Sequence, residues 1–225
     1  MNNNFKLGNE IDLLEKYPKV KRDLKVREKK KSEKTKEIAR KFEKDFFDGK
    51  REHGYGGFNY NPKYWTEVVK DFQTYWNLNS KSKVLDVGCA KGFMVYDLVK
   101  LIPGIQVKGI DVSNYAIENS KEEIKKYLSV GDAKDLPFED NEFDVVISIN
   151  TIHNLNIEEC GKSLREIERV SKKNSFITVD AYRNEEEKKR MDAWNLTAKT
   201  VMSVKEWKNF FKKNYYSGDF FWFIP

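Results

Sequence analysis

Two short stretches hold the residues whose types and spacing suit them for chemistry. Val84-Leu85-Asp86-Val87-Gly88-Cys89-Ala90-Lys91-Gly92 reads as a buried strand running into a tight loop of small residues and then a helix. Gly109-Ile110-Asp111-Val112-Ser113 reads as a second buried strand that ends in a carboxylate. Asp111 follows Gly88 by 23 residues, which sets loop and carboxylate side by side at one end of a parallel sheet. Small residues let backbone approach a ligand, and the amides opening the next helix can meet a carboxylate or phosphate. A carboxylate after the second strand can accept hydrogen bonds from both hydroxyls of a ribose. Ser113 is already placed to cap the following helix, so Asp111 is assigned to the ribose. Gly131-Asp132-Ala133 adds an acceptor for the exocyclic amine of adenine and a residue small enough for a ring to lie flat. A turn-forming Asp is the other reading of Asp132. The three stretches describe a nucleoside pocket.

The pocket does not fit a dinucleotide. Counting from Gly88, the second and third glycines of that fingerprint would be Ala90 and Phe93, and phenylalanine suits close helix–strand packing poorly. A phosphate-cradling loop with Lys-Ser/Thr is absent too.

The elements that must position these groups alternate. Apolar runs at 84–87, 107–110, 127–130, 143–149 and 176–179 read as strands, with helical stretches at 91–101, 114–126 and 157–170 between most of them. Such alternation predicts an α/β fold, a Rossmann-like three-layer sandwich around a mostly parallel sheet. Right-handed crossovers then bring the loops after each strand to one edge. Helices near 184–199 and 204–213 and a strand at 220–224 follow. Residues 10–48 read as an amino-terminal helical extension, with Ile38, Phe42 and Phe46 at four-residue spacing. The expected division is a basic arm over 1–50, an aromatic Gly-rich loop and packing helix over 51–80 as a lid candidate, and the main domain over 81–225.

Composition narrows the setting. The chain has 225 residues, 39% hydrophobic and 35% charged, and no apolar run approaches the ~18 residues of a membrane span. The amino terminus lacks a secretion-signal pattern. Cys89 and Cys160 form neither a metal spacing nor a framework of bridges, so no metal and a cytoplasmic home are expected. Of the net charge of +6, residues 16–51 hold 16 Lys/Arg against 7 Asp/Glu. That arm can attract phosphates, or its alternating signs can simply solvate a helix.

Asp86-Val87-Gly88-Cys89-Ala90-Lys91-Gly92, Gly109-Ile110-Asp111, Gly131-Asp132-Ala133, Leu136-Pro137-Phe138 and Phe143-Asp144-Val145-Val146 resemble the successive motifs of class I S-adenosylmethionine-dependent methyltransferases. The small-molecule group that includes quinone-biosynthesis enzymes is the most similar. The resemblance covers roughly residues 80–180. It implies S-adenosyl-L-methionine as cofactor, with the first loop (Asp86, Gly88, Cys89, Ala90, Gly92) at the methionine part, Asp111 at the ribose, Asp132 and Ala133 at the adenine, and Val112 also among the cofactor-binding residues. Ala90 departs from the family, where glycine is commoner. The family also closes its sheet with an antiparallel pair, whereas only one clear strand follows residue 213, so the seventh strand is expected to be missing or displaced.

The chemistry expected is in-line methyl transfer to oxygen or nitrogen of a small-molecule acceptor, where positioning supplies much of the rate. His153, after the fourth strand, is either a base for a protonated nucleophile or a loop residue shaping the substrate wall. Asn150 is placed to orient the substrate or the methionine group. Tyr55 is placed to reach the methionine carboxylate from the lid candidate. Tyr60, Asn154, Tyr182 and Arg183 are the substrate-side candidates. Two alternatives stand beside this reading: an RNA or protein methyltransferase docking through the arm, and a non-catalytic nucleoside-binding module. The first is not favoured, because the fourth strand ends Ser148-Ile149-Asn150-Thr151 and lacks the Asn/Asp-Pro-Pro-aromatic tetrapeptide of enzymes that methylate planar amino groups.

Overall fold

The computed structural model describes residues 5–19 and 23–225. Its centre is a parallel sheet. The strands are β1 (Lys83–Val87), β2 (Gln106–Asp111), β3 (Leu128–Val130), β4 (Phe143–Ile149), β5 (Ser171–Tyr182), β6 (Met202–Ser203) and β7 (Asp219–Phe223). The order is β3-β2-β1-β4-β5, with β6 and β7 both pairing β5, and every ladder between these strands is parallel. The order reverses between β1 and β4, where an open parallel sheet leaves a crevice beyond its carboxyl ends.

The helices are α1 (Leu24–Lys30), α2 (Glu33–Ala39), α3 (Lys44–Phe47), α4 (Pro62–Trp76), α5 (Phe93–Leu101), α6 (Asn114–Glu118), α7 (Ile157–Val170), α8 (Glu185–Trp194) and α9 (Val204–Lys213). Two apolar cores result, one on each face of the sheet. Val84, Val107, Val145 and Phe176 pack with Val68 and Phe72 of α4 and Leu98 of α5. Leu85, Val146, Ile177 and Val179 pack with Leu164 and Ile167 of α7 and Trp207 of α9. Successive strand residues point to opposite faces, so the central strands β1, β2, β4 and β5 feed both cores. Asp86 and Asp180 lie in register with the first face. The start of α7 carries a reciprocal cap between Asn156 and Glu159, which fixes the chain just after the fourth strand's loop.

Four expectations need correction. The arm is not one helix over 10–48. Ile11 donates to the Phe220 carbonyl (3.0 Å), and Phe220 donates to that of Asn9 (3.0 Å), so this segment lies extended along β7. Helices begin only at Leu24, capped by Asp23. The segment also covers an open sheet edge that would otherwise offer unpaired backbone. The seventh strand is present, but parallel to β5. The long strand β5 starts at Ser171, five residues before its apolar run, because Ser171 pairs with Phe143 of β4. The stretch expected as a helix over 114–126 is split into α6 and a 3-10 segment, Glu122–Tyr127.

Candidate active site

The loop between β1 and α5 is shaped by its backbone. Gly88, Ala90 and Gly92 all have positive φ, at 83°, 51° and 71°. The amides of Gly88 and Cys89 both donate to the Ile110 carbonyl at the end of β2 (2.7 and 3.1 Å). A Cβ on Gly88 would lie 2.1 Å from Oγ1 of Thr151, so the side chain after β4 fills the space glycine leaves. Gly92 is packed less tightly, where a Cβ would lie 2.7 Å from the terminal methyls of Ile124 and Leu128. Glycine is required at both positions by conformation and by contact. Ala90 holds a left-handed conformation without that freedom, which costs about 1 kcal/mol.

Asp111 ties the loops together. Its Oδ2 accepts from the Ala90 amide (2.8 Å) and its Oδ1 from the Ser113 amide (2.9 Å). Ser113 caps α6 through the Ala116 amide (3.1 Å), as its position in the sequence implied. Burial raises the Asp111 pKa, and the hydrogen bonds from Ser113, Ala90 and Val112 oppose that rise. Each carboxylate oxygen keeps a further lone pair for a ligand hydroxyl. Beside it Val112 is 59% exposed, a large apolar side chain left open at the crevice.

Asp86 differs. It is 3% exposed, and its carboxylate makes no hydrogen bond with any described residue. Burial first, and the nearby Asp111 charge second, push its pKa up to about 8. A buried carboxylate without donors is costly to ionise and is satisfied by a ligand that brings N–H groups. Cys89 is buried and its thiol is pushed well up by burial, so it is no nucleophile.

Asp132 turns back on its own loop, accepting from the Lys134 amide (3.0 Å), and Lys134 also reaches Glu159 (2.8 Å). Ala133 is half-buried alongside. Asn150 has φ 52° and is clamped to β5, since its amide donates to the Thr178 carbonyl (3.1 Å) and its Oδ1 accepts from Thr178 Oγ1 (2.9 Å). Asn154 donates back to the Asn150 carbonyl (3.2 Å), leaving its own Oδ1 buried and unpaired.

His153 is 4% exposed. Its Nδ1 accepts from the Asp180 amide (3.0 Å), so the other nitrogen carries the proton, and that Nε2 lies 3.6 Å from Asp180 Oδ1. Burial lowers its pKa to about 3, so the ring is neutral near pH 7. Its carbonyl accepts from the amides of Lys199 and Thr200 (both 3.0 Å), which fastens the loop after α8 to the end of β4. The lone pair a base would use is already committed.

The polar groups of the lid candidate and of the segment after β5 are engaged within the chain. The Tyr55 hydroxyl accepts from the amides of Leu196 (2.9 Å) and Thr197 (3.3 Å). Tyr60 donates to Asp97 (2.6 Å) on α5 and stacks near Phe93 and Tyr96. Tyr182 lies under the Lys188 ammonium, and Arg183 is exposed and paired with Glu187. Of the substrate-side candidates, only Asn154 therefore lies beside His153 and Asn150 at the end of β4.

Two contributors were missed in the sequence. Lys91 is buried, and its ammonium donates to both oxygens of Asp48 (2.6 and 2.5 Å) and to the Phe58 carbonyl (3.0 Å). Tyr115 also donates to Asp48 (2.8 Å), so the arm is pinned across the loops after β1 and β2. The signal was one long cation among small residues. The other is the contact of Asp180 with His153, which depends on the β4–β5 pairing.

A family model described as a methyltransferase domain matches residues 78–215, more than half of the chain. Ajmaline N-methyltransferase of Rauvolfia serpentina is 35% identical over 103 residues, 43% of this chain and 34% of that protein. Demethylmenaquinone methyltransferase of Staphylococcus saprophyticus is 35% identical over 106 residues, 45% of each. The chain thus spans between a third and a half of these relatives' lengths. Among solved structures, the YcgJ protein of Bacillus subtilis superposes with a TM-score of 0.54 at 19% identity, covering 65% of this chain and 66% of that one, a likeness of fold.

Proposed function

Because the chain belongs to this class I methyltransferase-domain family, we propose that it transfers a methyl group from S-adenosylmethionine to oxygen or nitrogen of a small-molecule acceptor. The observation that carries the reading is the buried Asp86 carboxylate, without a hydrogen-bond partner among the described residues, beside a backbone turn where a Cβ would collide. These residues fit the cofactor. Asp86 would take its ammonium, Asp111 its ribose hydroxyls, Val112 and Ala133 the faces of its ring, and Asp132 its exocyclic amine. Gly88, Cys89, Ala90 and Gly92 would offer backbone to its methionine part. When bound, S-adenosylmethionine supplies a methyl group activated by a positively charged sulfur.

The chain's own residues then orient the acceptor and exclude water. His153 is best read as a positioning residue: its ring and carbonyl hold Asp180 and the segment after Lys199 in place. Asn150, fixed by Thr178, is set to orient a ligand at the end of β4. The arm covers the site through Asp48 and Lys91. The relatives named above are an ajmaline N-methyltransferase and a demethylmenaquinone methyltransferase, which supports a small acceptor. Arg27 and Arg40 of the arm donate to backbone carbonyls of the segment after α8, which speaks against the arm as a free RNA-docking tail. No helix among the described residues is long and apolar enough to cross a membrane. The buried free thiols of Cys89 and Cys160 suit a reducing cytoplasm.

Calorimetry with S-adenosylhomocysteine tests the reading. The wild-type chain binds one equivalent, and Asp111→Ala weakens binding about 100-fold, the scale of losing a charged acceptor to two hydroxyls. The variant stays folded by circular dichroism, with a modest loss of melting temperature from the two amides that lose their acceptor. Absence of heat and of thermal stabilisation with the wild-type chain overturns the proposal.

A further inference from the structure

Three arginines, Arg27 and Arg40 of the arm and the exposed Arg51 just after it, donate to backbone carbonyls along one wall of the molecule, and none of them pairs with a carboxylate among the described residues. Arg27 is the deepest, 8% exposed. Its Nε donates to the Trp194 carbonyl (3.4 Å), and its Nη1 donates to the carbonyls of Arg51 (3.3 Å) and Gly54 (3.1 Å). Its Nη2 is buried with no partner. Arg51 donates to the same Gly54 carbonyl (2.6 Å), so two cations share one neutral acceptor. Arg40 donates to the carbonyls of Thr197 (3.3 Å) and Ala198 (3.5 Å). The undescribed residues, 1–4 and 20–22, include no Asp or Glu and cannot supply the missing negative charge.

A guanidinium stays charged at physiological pH and presents five N–H donors. In Arg27 three of them meet carbonyls and the two on Nη2 meet nothing. The rings of Tyr55 and Trp194 lie 5.0 and 5.2 Å from the guanidinium carbon, which stabilises the cation through its faces and leaves that edge unused. Buried charges are as a rule paired, and burial accordingly pulls the Arg27 pKa down. The location matters as much. Tyr55 holds Leu196 and Thr197, and the next residues, Lys199 and Thr200, hold His153 at the end of β4. Arg27 therefore stands behind the wall beyond β4 and β5, on the side away from the nucleoside groups of β2 and β3.

On the basis of the methyltransferase reading, we propose that Arg27, with Arg51 beside it, receives a carboxylate or phosphate of the methyl acceptor, so that the acceptor is an anion. The free Nη2 edge offers the donors such a group takes, and the arm closes over it as it docks on the segment after α8. Nη2 is shut off from solvent while the arm is docked, so the anion enters when the arm swings away.

The full chain, saturated with S-adenosylhomocysteine, is titrated by calorimetry with benzoate, phenyl phosphate and the neutral benzyl alcohol. One of the two anions binds at least tenfold tighter than benzyl alcohol, and which one it is separates carboxylate from phosphate. Arg27→Gln lowers that affinity at least tenfold and Arg51→Gln about threefold, while S-adenosylhomocysteine affinity stays within twofold. Equal binding of anions and alcohol, or unchanged anion affinity in Arg27→Gln, overturns the proposal. A tenfold loss of S-adenosylhomocysteine affinity in Arg27→Gln overturns it as well, by assigning the guanidinium to the cofactor's own carboxylate. Should Arg27→Gln not fold, the exposed Arg51→Gln decides, and an unchanged anion affinity there is fatal. Failure of the wild-type chain to bind S-adenosylhomocysteine at all strikes the methyltransferase reading instead.

Discussion

The ends of β1 and β4 are neighbours in the sheet, yet they are built on opposite principles. At the end of β1 the backbone runs through three positive-φ residues, of which Ala90 alone is strained, and the Asp86 carboxylate is buried without donors. At the end of β4 the polar groups are mostly partnered within the chain: His153 accepts from Asp180, and Asn150 is locked to Thr178. Both ends bury a titratable group. One of these groups lacks what a cationic ligand brings, and the other has already spent its lone pair on structure. A perturbed pKa at a sheet edge thus separates into two meanings, and hydrogen-bond partners tell them apart.

The sharpest way to break the contrast is Gly88→Ala. The new Cβ meets Thr151, so it strikes both ends at once, at a left-handed position. We expect a loss of about 2–4 kcal/mol from clash and backbone strain. S-adenosylhomocysteine affinity should fall more than 100-fold. Chemical denaturation and calorimetry read the two effects, and a variant as stable as the parent would show that the turn is not tightly fitted.

The pH dependence sharpens the contrast, because the two groups act with opposite sign. Asp86 is raised from 3.8 to about 8 on folding, so the folded state binds the extra proton and stability falls as pH rises through that window. His153 is lowered from 6.5 to about 3, so the unfolded state binds the extra proton and stability falls as pH drops through that window. Between about pH 4 and 6.5 the slopes oppose each other, at about 1.4 kcal/mol per pH unit each. In Asp86→Asn the histidine slope should stand alone, with stability climbing up to pH 6.5. In His153→Asn the aspartate slope should stand alone, with stability declining toward pH 8. Urea melts across this range test both, and parallel profiles in the two variants would refute the assignment.

The smallest effect tests the strain alone. Ala90→Gly relieves a left-handed alanine but adds chain entropy in the unfolded state, for a net gain of about 0.5 kcal/mol. A loss of stability would mean that the Ala90 methyl packs to more purpose than its backbone conformation costs.

Much of the geometry after β1 and β2 was legible because its information is local. A strand followed by small residues, or by Asp-Val-Ser, places its groups whatever the rest of the chain does. Ser113 capping α6 and the approach of Asp111 to the loop are of this kind. The acceptor side was not legible in the same way. Tyr55 and Tyr60 looked like cofactor and substrate residues because they sit in a flexible aromatic loop, but their hydroxyls are claimed by Thr197 and Asp97, 142 and 37 residues away. His153 looked like a base because it follows a strand on the ligand side. Its partner comes from the pairing of β4 with β5, which periodicity does not register.

The alternation of apolar runs and small-residue loops determined by itself that a parallel sheet would form and that a loop of small residues would meet the Asp111 carboxylate beyond β1 and β2, since strand period, turn conformation and capping act over a few residues. Only the tertiary structure decided which polar groups there remain free. Whether Asp86 lacks a donor, His153 loses its lone pair or Arg27 is left without a counter-charge depends on which distant atoms share a desolvated space, and burial is a property of the packed chain rather than of any segment.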